Sequence, residues 1–310
     1  TDVKPYATVT GAQNSVTDSR SEGQLHNAKL DYQTPFGLKA GAEFTYYHSP
    51  GSQLLHSTLG EETMNFLSRD NQRINQWRFY AGQEHTLGKD WGLNYGVTYT
   101  TALDNSYQMY YDPETEAPLP DNNMKSRRRE QTVNFYAGLS KSFGEKLSAD
   151  VSLAAEQYHT DMWNEWNLYP VANLTYLPAS GHILQFSLSS DKEYPEYWSM
   201  QNSTSYMGAY SEIQGNPFLK PATNYETTLS YILKGKYVLS AYYSRTKNKE
   251  MQTLYQSPER LVEIYKCFNF DFSEQAGLVM VVPFKVKKWL DSRVTAIGFR
   301  YRQKDSDFWD

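Results

Sequence analysis

Trp91-Gly92-Leu93-Asn94-Tyr95-Gly96-Val97-Thr98-Tyr99 sorts its residues by parity. Trp, Leu, Tyr, Val and Tyr fall on one side; Gly, Asn, Gly and Thr fall on the other. A period of two belongs to the β-strand, whose successive side chains point to opposite faces. Outward from this stretch the same pattern recurs. Leu38-Lys39-Ala40-Gly41-Ala42-Glu43-Phe44-Thr45-Tyr46 carries it, as do Val133-Asn134-Phe135-Tyr136-Ala137-Gly138-Leu139 and Leu147-Ser148-Ala149-Asp150-Val151-Ser152-Leu153. Leu184-Gln185-Phe186-Ser187-Leu188 and Tyr237-Val238-Leu239-Ser240-Ala241-Tyr242-Tyr243 repeat it further on. No stretch of helical length shows a 3.6-residue period, so the chain reads as all-β.

The connections alternate as well. Short turns rich in Gly, Lys and Asp are expected at residues 35–37, 88–90, 144–146, 178–181, 234–236 and 288–291. Longer polar linkers are expected between them, at residues 48–75, 104–130, 160–167, 190–224 and 250–272. Six hairpins predict about 12 strands of roughly 9–14 residues, against a mean soluble strand of about 5–6. Strands of 9–11 residues cross a bilayer when tilted. One rim of short turns and one of long loops is the asymmetry of an outer-membrane barrel. Tyr and Trp crowd the strand ends, at Tyr46, Tyr47, Trp77, Trp91, Tyr99, Trp166, Tyr169, Tyr237, Trp289 and Tyr301, as in interfacial girdles. The expectation is an antiparallel transmembrane β-barrel with its apolar face to lipid and its polar face to a lumen. A soluble sandwich or barrel is the alternative for the same strands.

Composition narrows the classes. The chain has 310 residues, 26 of them Tyr, with aromatics at 15% and charged residues at 21%. Its mean hydropathy of −0.70 fits spans in which only alternate residues meet lipid. The longest apolar run, residues 276–284, is far short of the ~20 residues a helical span needs. A net charge of −5 gives no general attraction to nucleic acid, and none is expected as a partner. Cys267 is the sole cysteine, so neither an internal disulfide nor a cysteine metal site can form. Thr1-Asp2-Val3-Lys4 is polar and leads into no apolar signal region, as expected where a signal was removed or the chain is a piece of something larger.

The most specific stretch is residues 187–231. There Gly215-Asn216-Pro217-Phe218-Leu219-Lys220-Pro221 follows a long loop and precedes Glu226 and the next strand. This resembles the barrel of TonB-dependent outer-membrane receptors, especially the barrel family abundant in Bacteroidetes, where a GNPxLxP element leads back into a membrane strand that opens with Glu. Tyr169-Pro170, Gly277 and Trp289 also look like the family. The likeness is specific over residues 168–301 and architectural over residues 1–131. Tyr194-Pro195 departs from the Arg-Pro pair common in the family. The resemblance implies a barrel of 22 strands. Residues 1–310 are therefore expected to be part of one barrel domain, with a plug domain and the remaining strands in sequence absent here. The segment Phe308-Trp309-Asp310 reads as an outer loop.

The resemblance further implies a nutrient transporter of a Gram-negative outer membrane. Its partners would be outer-membrane lipids and lipopolysaccharide, a plug, the TonB system and an unknown small substrate. A small passive porin or adhesin with 12 closed strands is the alternative. An outer-membrane enzyme is a third reading, but no GxSxG, P-loop or dinucleotide fingerprint is present. The six His are scattered without ligand spacing, so no catalytic, metal or cofactor residue is assigned.

The resemblance implies a strand re-entry motif made of Gly215, Asn216, Pro217, Leu219, Pro221 and Glu226, and turn chemistry independently supports it for Gly215, Asn216, Pro217 and Pro221, the last suited to the first residue of a strand. Pro217 fixes φ and holds Asn216 extended, and Gly215 permits a positive φ. Candidate ligand contacts on the outer loops are Trp163, Trp166, Tyr194, Tyr197 and Trp198; a girdle role competes for them. Asp121-Asn122-Asn123 offers oxygen ligands or a plain turn. Ser126-Arg127-Arg128-Arg129-Glu130 is a basic run either pairing with lipopolysaccharide phosphates or a substrate anion or lying on a charged rim, with Arg128 sent to the face opposite its two neighbours.

Overall fold

The computed structural model describes residues 13–59, 62–208, 210–257 and 262–306. Thr1 and the segment from Phe308 to Asp310 lie outside the described residues, as do the side chains of Asp121 and Asn122. The strands are β1 (Gln13–Ser21), β2 (Gln24–Gln33), β3 (Lys39–Leu59), β4 (Glu62–Leu87), β5 (Trp91–Tyr111), β6 (Pro118–Phe143), β7 (Leu147–Thr160) and β8 (Asn164–Tyr176). They continue as β9 (His182–Glu193), β10 (Thr204–Gly208), β11 (Ser211–Gln214), β12 (Ala222–Leu233), β13 (Tyr237–Gln256), β14 (Glu263–Val286) and β15 (Leu290–Lys304). All 15 join one sheet.

Twelve of them form the wall, each antiparallel to its sequence neighbour: β2 to β9, then β12 to β15. The remaining three lie at the long-loop end. β1 prolongs β2 in the same register along β3, from Gln24↔His48 to Ser21↔Gly51. The break falls at Pro50, which has no N–H to donate, and Glu22 donates its own to the Pro50 carbonyl. All six predicted short turns are present. Gly37, Gly88, Gly144, Gly181 and Gly235 take positive φ in five of them.

The register assembles the parity pattern into one continuous face. Tyr32, Ala40, Ala81, Val97, Phe135, Ala155 and Leu168 lie in a single cross-strand row. Leu184, Tyr231, Leu239, Met280 and Ala296 form another. Many of these large apolar side chains are exposed, Leu239 and Phe135 among them. In water such a face would be a severe liability; in hydrocarbon it is the required solvent contact. Tyr32, Trp91, Tyr176 and Tyr237 mark the turn-side border, and Tyr46, Trp77, Trp166 and Tyr243 the outer one. Alternation sends Tyr47, Tyr169 and Tyr301 to the inner face instead, so these three leave the girdle. The inner face carries Glu43, Asn94, Asp150, Gln185 and Glu226, as expected for a lumen. Gly96 keeps it thin: a Cβ there would come within 2.6 Å of both the Tyr136 ring and the Ala81 carbonyl oxygen.

Strand length departs from expectation. β4 and β6 run for 26 residues each, and most of the expected linkers at residues 48–75, 104–130 and 250–272 are strand. Beyond the lipid a ribbon needs no apolar face, so hydrophobic alternation stops while backbone pairing continues. Among the described residues, only those between β9 and β12 form a long excursion, and they include the antiparallel pair β10–β11. β11 pairs in parallel with Ser211↔Glu263 to Gln214↔Lys266, on the β14 edge above β15. β10 then lies against β1 and β3, so a ribbon bridges the outer end of the wall. At membrane level no pairing joins β2 to β15 among the described residues.

The face assignment sets a ranking. Val97→Arg or Leu153→Arg should each cost about 2–4 kcal/mol of folding free energy in a bilayer. Ser152→Arg, one residue away on the lumen face, should cost clearly less. Denaturant titration in lipid vesicles measures the order, and the opposite order would invert the faces.

Candidate functional site

The inner face narrows where residues 194–221 turn back into the wall. Along β5 the even positions Ala102, Asp104, Ser106, Gln108 and Tyr110 are all buried, while the odd positions between them are not. That parity marks the inward side of a ribbon covered by the loop. Leu55, Phe66 and Tyr110 enclose Tyr206 of β10 in one apolar cluster. The Phe66 ring lies 5.0 Å from Tyr206 and 5.2 Å from Tyr110, centroid to centroid. Gln53 Nε2 donates to the Tyr206 carbonyl at 3.1 Å, and Tyr110 donates its hydroxyl to the Thr204 carbonyl.

The re-entry element holds the other end. Asn216 Nδ2 donates to the Cys267 carbonyl at 2.9 Å, and Asn216 Oδ1 accepts from the Phe218 amide at 3.1 Å. Lys220 and Asn269 exchange two hydrogen bonds, of 2.6 and 2.9 Å. Leu219 is fully buried among Met200, Cys267 and Tyr197, worth about 1.5–3 kcal/mol by transfer. Burial raises the Cys267 thiol to about 12, helped by the nearby Glu250 carboxylate, so it stays protonated. Gly215 is required for a different reason from the expected one. Its φ is not positive; a Cβ would collide with the Gln201 carbonyl oxygen. Pro221 directly precedes β12, and Glu226 lies on the inner face of that strand.

Between loop and wall lies a cavity of about 570 Å³, lined by Arg78, Thr100, Glu130, Glu156, Tyr194 and Tyr197 among others. Two carboxylates organise it. Glu130 accepts from Arg128 Nε at 2.8 Å, the Tyr158 hydroxyl at 3.0 Å and the Tyr197 hydroxyl at 3.1 Å. Glu156 accepts from the Tyr194 hydroxyl at 2.7 Å, Lys192 Nζ at 3.2 Å and Asn134 Nδ2 at 3.3 Å. Lys192 Nζ also sits 4.3 Å from the Tyr158 ring centre. Burial raises the Tyr194 and Tyr197 phenols, and the neighbouring Glu156 and Glu130 charges push them the same way. Both therefore remain donors. The result is a polar chamber of hydroxyls, amides and carboxylates roofed by tyrosine rings.

The structure divides the predicted contacts. Tyr194 and Tyr197 converge on the chamber. Trp198 lies over an adjoining cavity with Gln72, Gln108 and Gly215, and its indole donates to Glu196. Trp166 stands outward opposite Gln157, as a girdle residue. Trp163 carries Lys220 Nζ at 4.2 Å from its ring, outside the chamber. Arg128 turns inward while Arg127 and Arg129 stay exposed, as alternation requires. Asn123 Oδ1 accepts from the Tyr110 amide at 2.8 Å, a structural role within the ribbon. Among the described residues, no group of three His, Cys, Asp or Glu is placed to hold a metal ion. Sequence reading met Glu130 only as the end of a basic run and did not single out Glu156, Tyr158 or Asp104. Their signal was parity alone: each continues the inward register of a strand beyond its apolar stretch.

Residues 37–308 match the outer membrane protein beta-barrel family, and the chain belongs to it. Its place is the outer membrane of a Gram-negative cell. Comparison with curated protein sequences finds no match. Among solved structures, the siderophore receptor PirA from Pseudomonas aeruginosa superposes with a TM-score of 0.54 at 11% identity, over 91% of this chain and 57% of that one. The copper transporter OprC gives 0.52 at 10% identity, over 92% and 54%. The alcaligin receptor FauA from Bordetella pertussis gives 0.50 at 11% identity, over 93% and 47%. The chain thus spans little more than half the length of the first two. At such identities the likeness is one of fold.

Two outcomes are expected of the loop. Asp104 is buried beyond the outer girdle, with Oδ1 lacking a partner. Burial raises its carboxyl to about 6, and the nearby Glu130 charge acts in the same direction against a weak hydrogen bond from Gln72. The folded protein then keeps a proton that an unfolded carboxyl releases near pH 3.9. This contribution is full below that value and lost as pH rises through 6. Asp104→Asn should flatten the pH dependence of loop docking across that window, read as hydrogen exchange at the Asn216 amide; an unchanged slope would refute it. Gly215→Ala should undock the loop at any pH, seen as protease cleavage within residues 194–221 that the unaltered protein resists.

Proposed function

We propose that this member of the outer membrane protein beta-barrel family forms part of the wall of a TonB-dependent transporter that takes up a scarce nutrient. The outer-membrane barrel itself follows from the family and fold. The finer reading is supported chiefly by one observation: at membrane level the inner face from β3 to β13 is largely polar, and it is capped at the outer mouth by residues 194–221. A nutrient would meet the loop tyrosines and the Glu130–Glu156 chamber first. A plug supplied by further sequence would occupy the lumen against Glu43, Arg78, Asn94 and Asp150, and the TonB system would deform that plug. Further strands of the same barrel domain would pair with β2 and β15, because open edges in hydrocarbon leave backbone groups unsatisfied. No catalytic role is assigned to the chamber, since its carboxylates are already held by Tyr, Lys and Arg donors.

A passive porin is the second reading. Twelve strands would suffice for it, but it needs β2 paired to β15 and an unobstructed mouth, and among the described residues neither is found. Planar-bilayer recording of the native protein separates the two. A gated receptor should show no steady open-channel conductance, whereas a lasting ohmic conductance would establish the porin. Within the transporter reading, Glu130→Gln together with Glu156→Gln should weaken capture of the nutrient by about tenfold or more, because the charge-assisted bonds that hold Tyr194 and Tyr197 over the chamber are lost. Uptake by intact cells measures this, and undiminished uptake would remove the chamber from the pathway.

A further inference from the structure

The lipid-facing side of β4, β5 and β6 changes character abruptly above the outer girdle. Its rows follow from the register. Trp77, Thr101 and Gln131 share one row; Asn75, Leu103 and Arg129 form the next; Arg73, Asn105 and Arg127 the next; Asn71, Tyr107 and Lys125 the last. Arg73, Lys125, Arg127 and Arg129 are all exposed. Among the described residues none of the four has a carboxylate partner, whereas Arg69 beside them is paired with Glu116 at 3.2 Å. A second basic group, on β13 and β15, differs: Arg245 and Arg302 share Glu274, each at 3.6 Å, and both stack on Phe272.

Successive rows are spaced by about 7 Å and neighbouring strands by about 5 Å. The Arg127 and Arg129 backbones therefore stand about 7 Å apart, and Arg73 stands about 10 Å from Arg127 and about 12 Å from Arg129. Their guanidinium groups can converge on one or two phosphates from the side. They begin one row above Trp77, an interfacial anchor, which is headgroup depth. The long-loop side is the outer leaflet, whose lipid A carries phosphates on its glucosamines. Guanidinium matches phosphate with paired, charge-assisted donors.

We propose that Arg73, Arg127 and Arg129, with Lys125 above them, form a binding site for the phosphates of lipid A. The site rests on the outer-membrane placement of the wall and does not depend on which nutrient, if any, the lumen carries. It explains why alternation puts Arg127 and Arg129 outward while Arg128 turns in to Glu130.

The test uses the native protein, incorporated in phosphatidylcholine vesicles with bisphosphoryl lipid A and then extracted in mild detergent. Lipid A retained per protein is counted by mass spectrometry. Arg73→Gln, Arg127→Gln and Arg129→Gln combined should lower retention by about tenfold or more. The matching triple Lys variant should restore most of it, which separates lost charge from misfolding. Arg245→Gln with Arg302→Gln should leave it unchanged. Dephosphorylated lipid A should not be retained. If the triple Gln variant fails to insert, Arg127→Gln alone should still lower retention. Equal retention by the Gln variants, or retention of phosphatidylglycerol as strong as that of lipid A, would overturn the assignment.

Discussion

Hydrocarbon offers no partner for a backbone N–H or C=O, and the rest of this structure depends on that constraint. Every strand crossing the apolar band must pair on both edges, which forces a continuous antiparallel wall. Pairing fixes register, and register fixes which parity faces lipid. From Tyr32 on β2 to Met280 on β14 the large apolar residues of the wall therefore largely share one surface, whereas on β15 Ile297 and Phe299 fall on the other, opposite Val279 and Gly277. The same constraint makes the membrane-level edges of β2 and β15 the least settled part of the wall. It lapses above the outer girdle, where water returns and β4 and β6 continue as ribbons with little apolar patterning.

Beyond the band a second principle takes over. The inward side of the ribbons is buried by the loop, and each polar group there must find a partner. Glu130 and Glu156 do so through tyrosines, Arg128 and Lys192. Asp104 does so only in part, and its raised carboxyl records the cost. The loop is held at two ends by unlike means: apolar packing around Tyr206, and the hydrogen bonds of Asn216 and Asn269 around buried Leu219. A docked loop with one poorly satisfied carboxyl beneath it is the part of the mouth most responsive to its surroundings. In the proposed transporter that is also where the nutrient arrives.

Much of the wall was legible in the sequence. The strand made by residues 91–99 and its repeats needs only parity, and the six short turns need only Gly, Lys and Asp. The twelve-strand wall follows from those two signals. The outer ribbons were not legible, because Ser52-Gln53-Leu54-Leu55-His56-Ser57 has no clean alternation once neither face meets lipid. The β10–β11 hairpin was hidden for a related reason: β11 is four residues long and pairs in parallel with a distant strand. Of the chamber, Tyr194 and Tyr197 were anticipated from aromatic crowding. Glu130 was read as the end of a basic run, and its function as an acceptor appears only when Tyr158 and Tyr197 are brought to it in space. Gly215 was expected to take a positive φ, whereas a Cβ there would meet the Gln201 carbonyl oxygen, a close approach that leaves no trace in local sequence.

The central claim is that parity along each wall strand separates lipid from lumen. Spin labels placed singly at residues 91–104 of β5, in the native protein in its membrane, test it most directly. Collision with oxygen should peak at the odd positions from 91 to 99 and collision with a polar nickel reagent at the even ones. The alternation should fade above residue 101. A trace with no period of two, or one with the parities exchanged, would contradict the account.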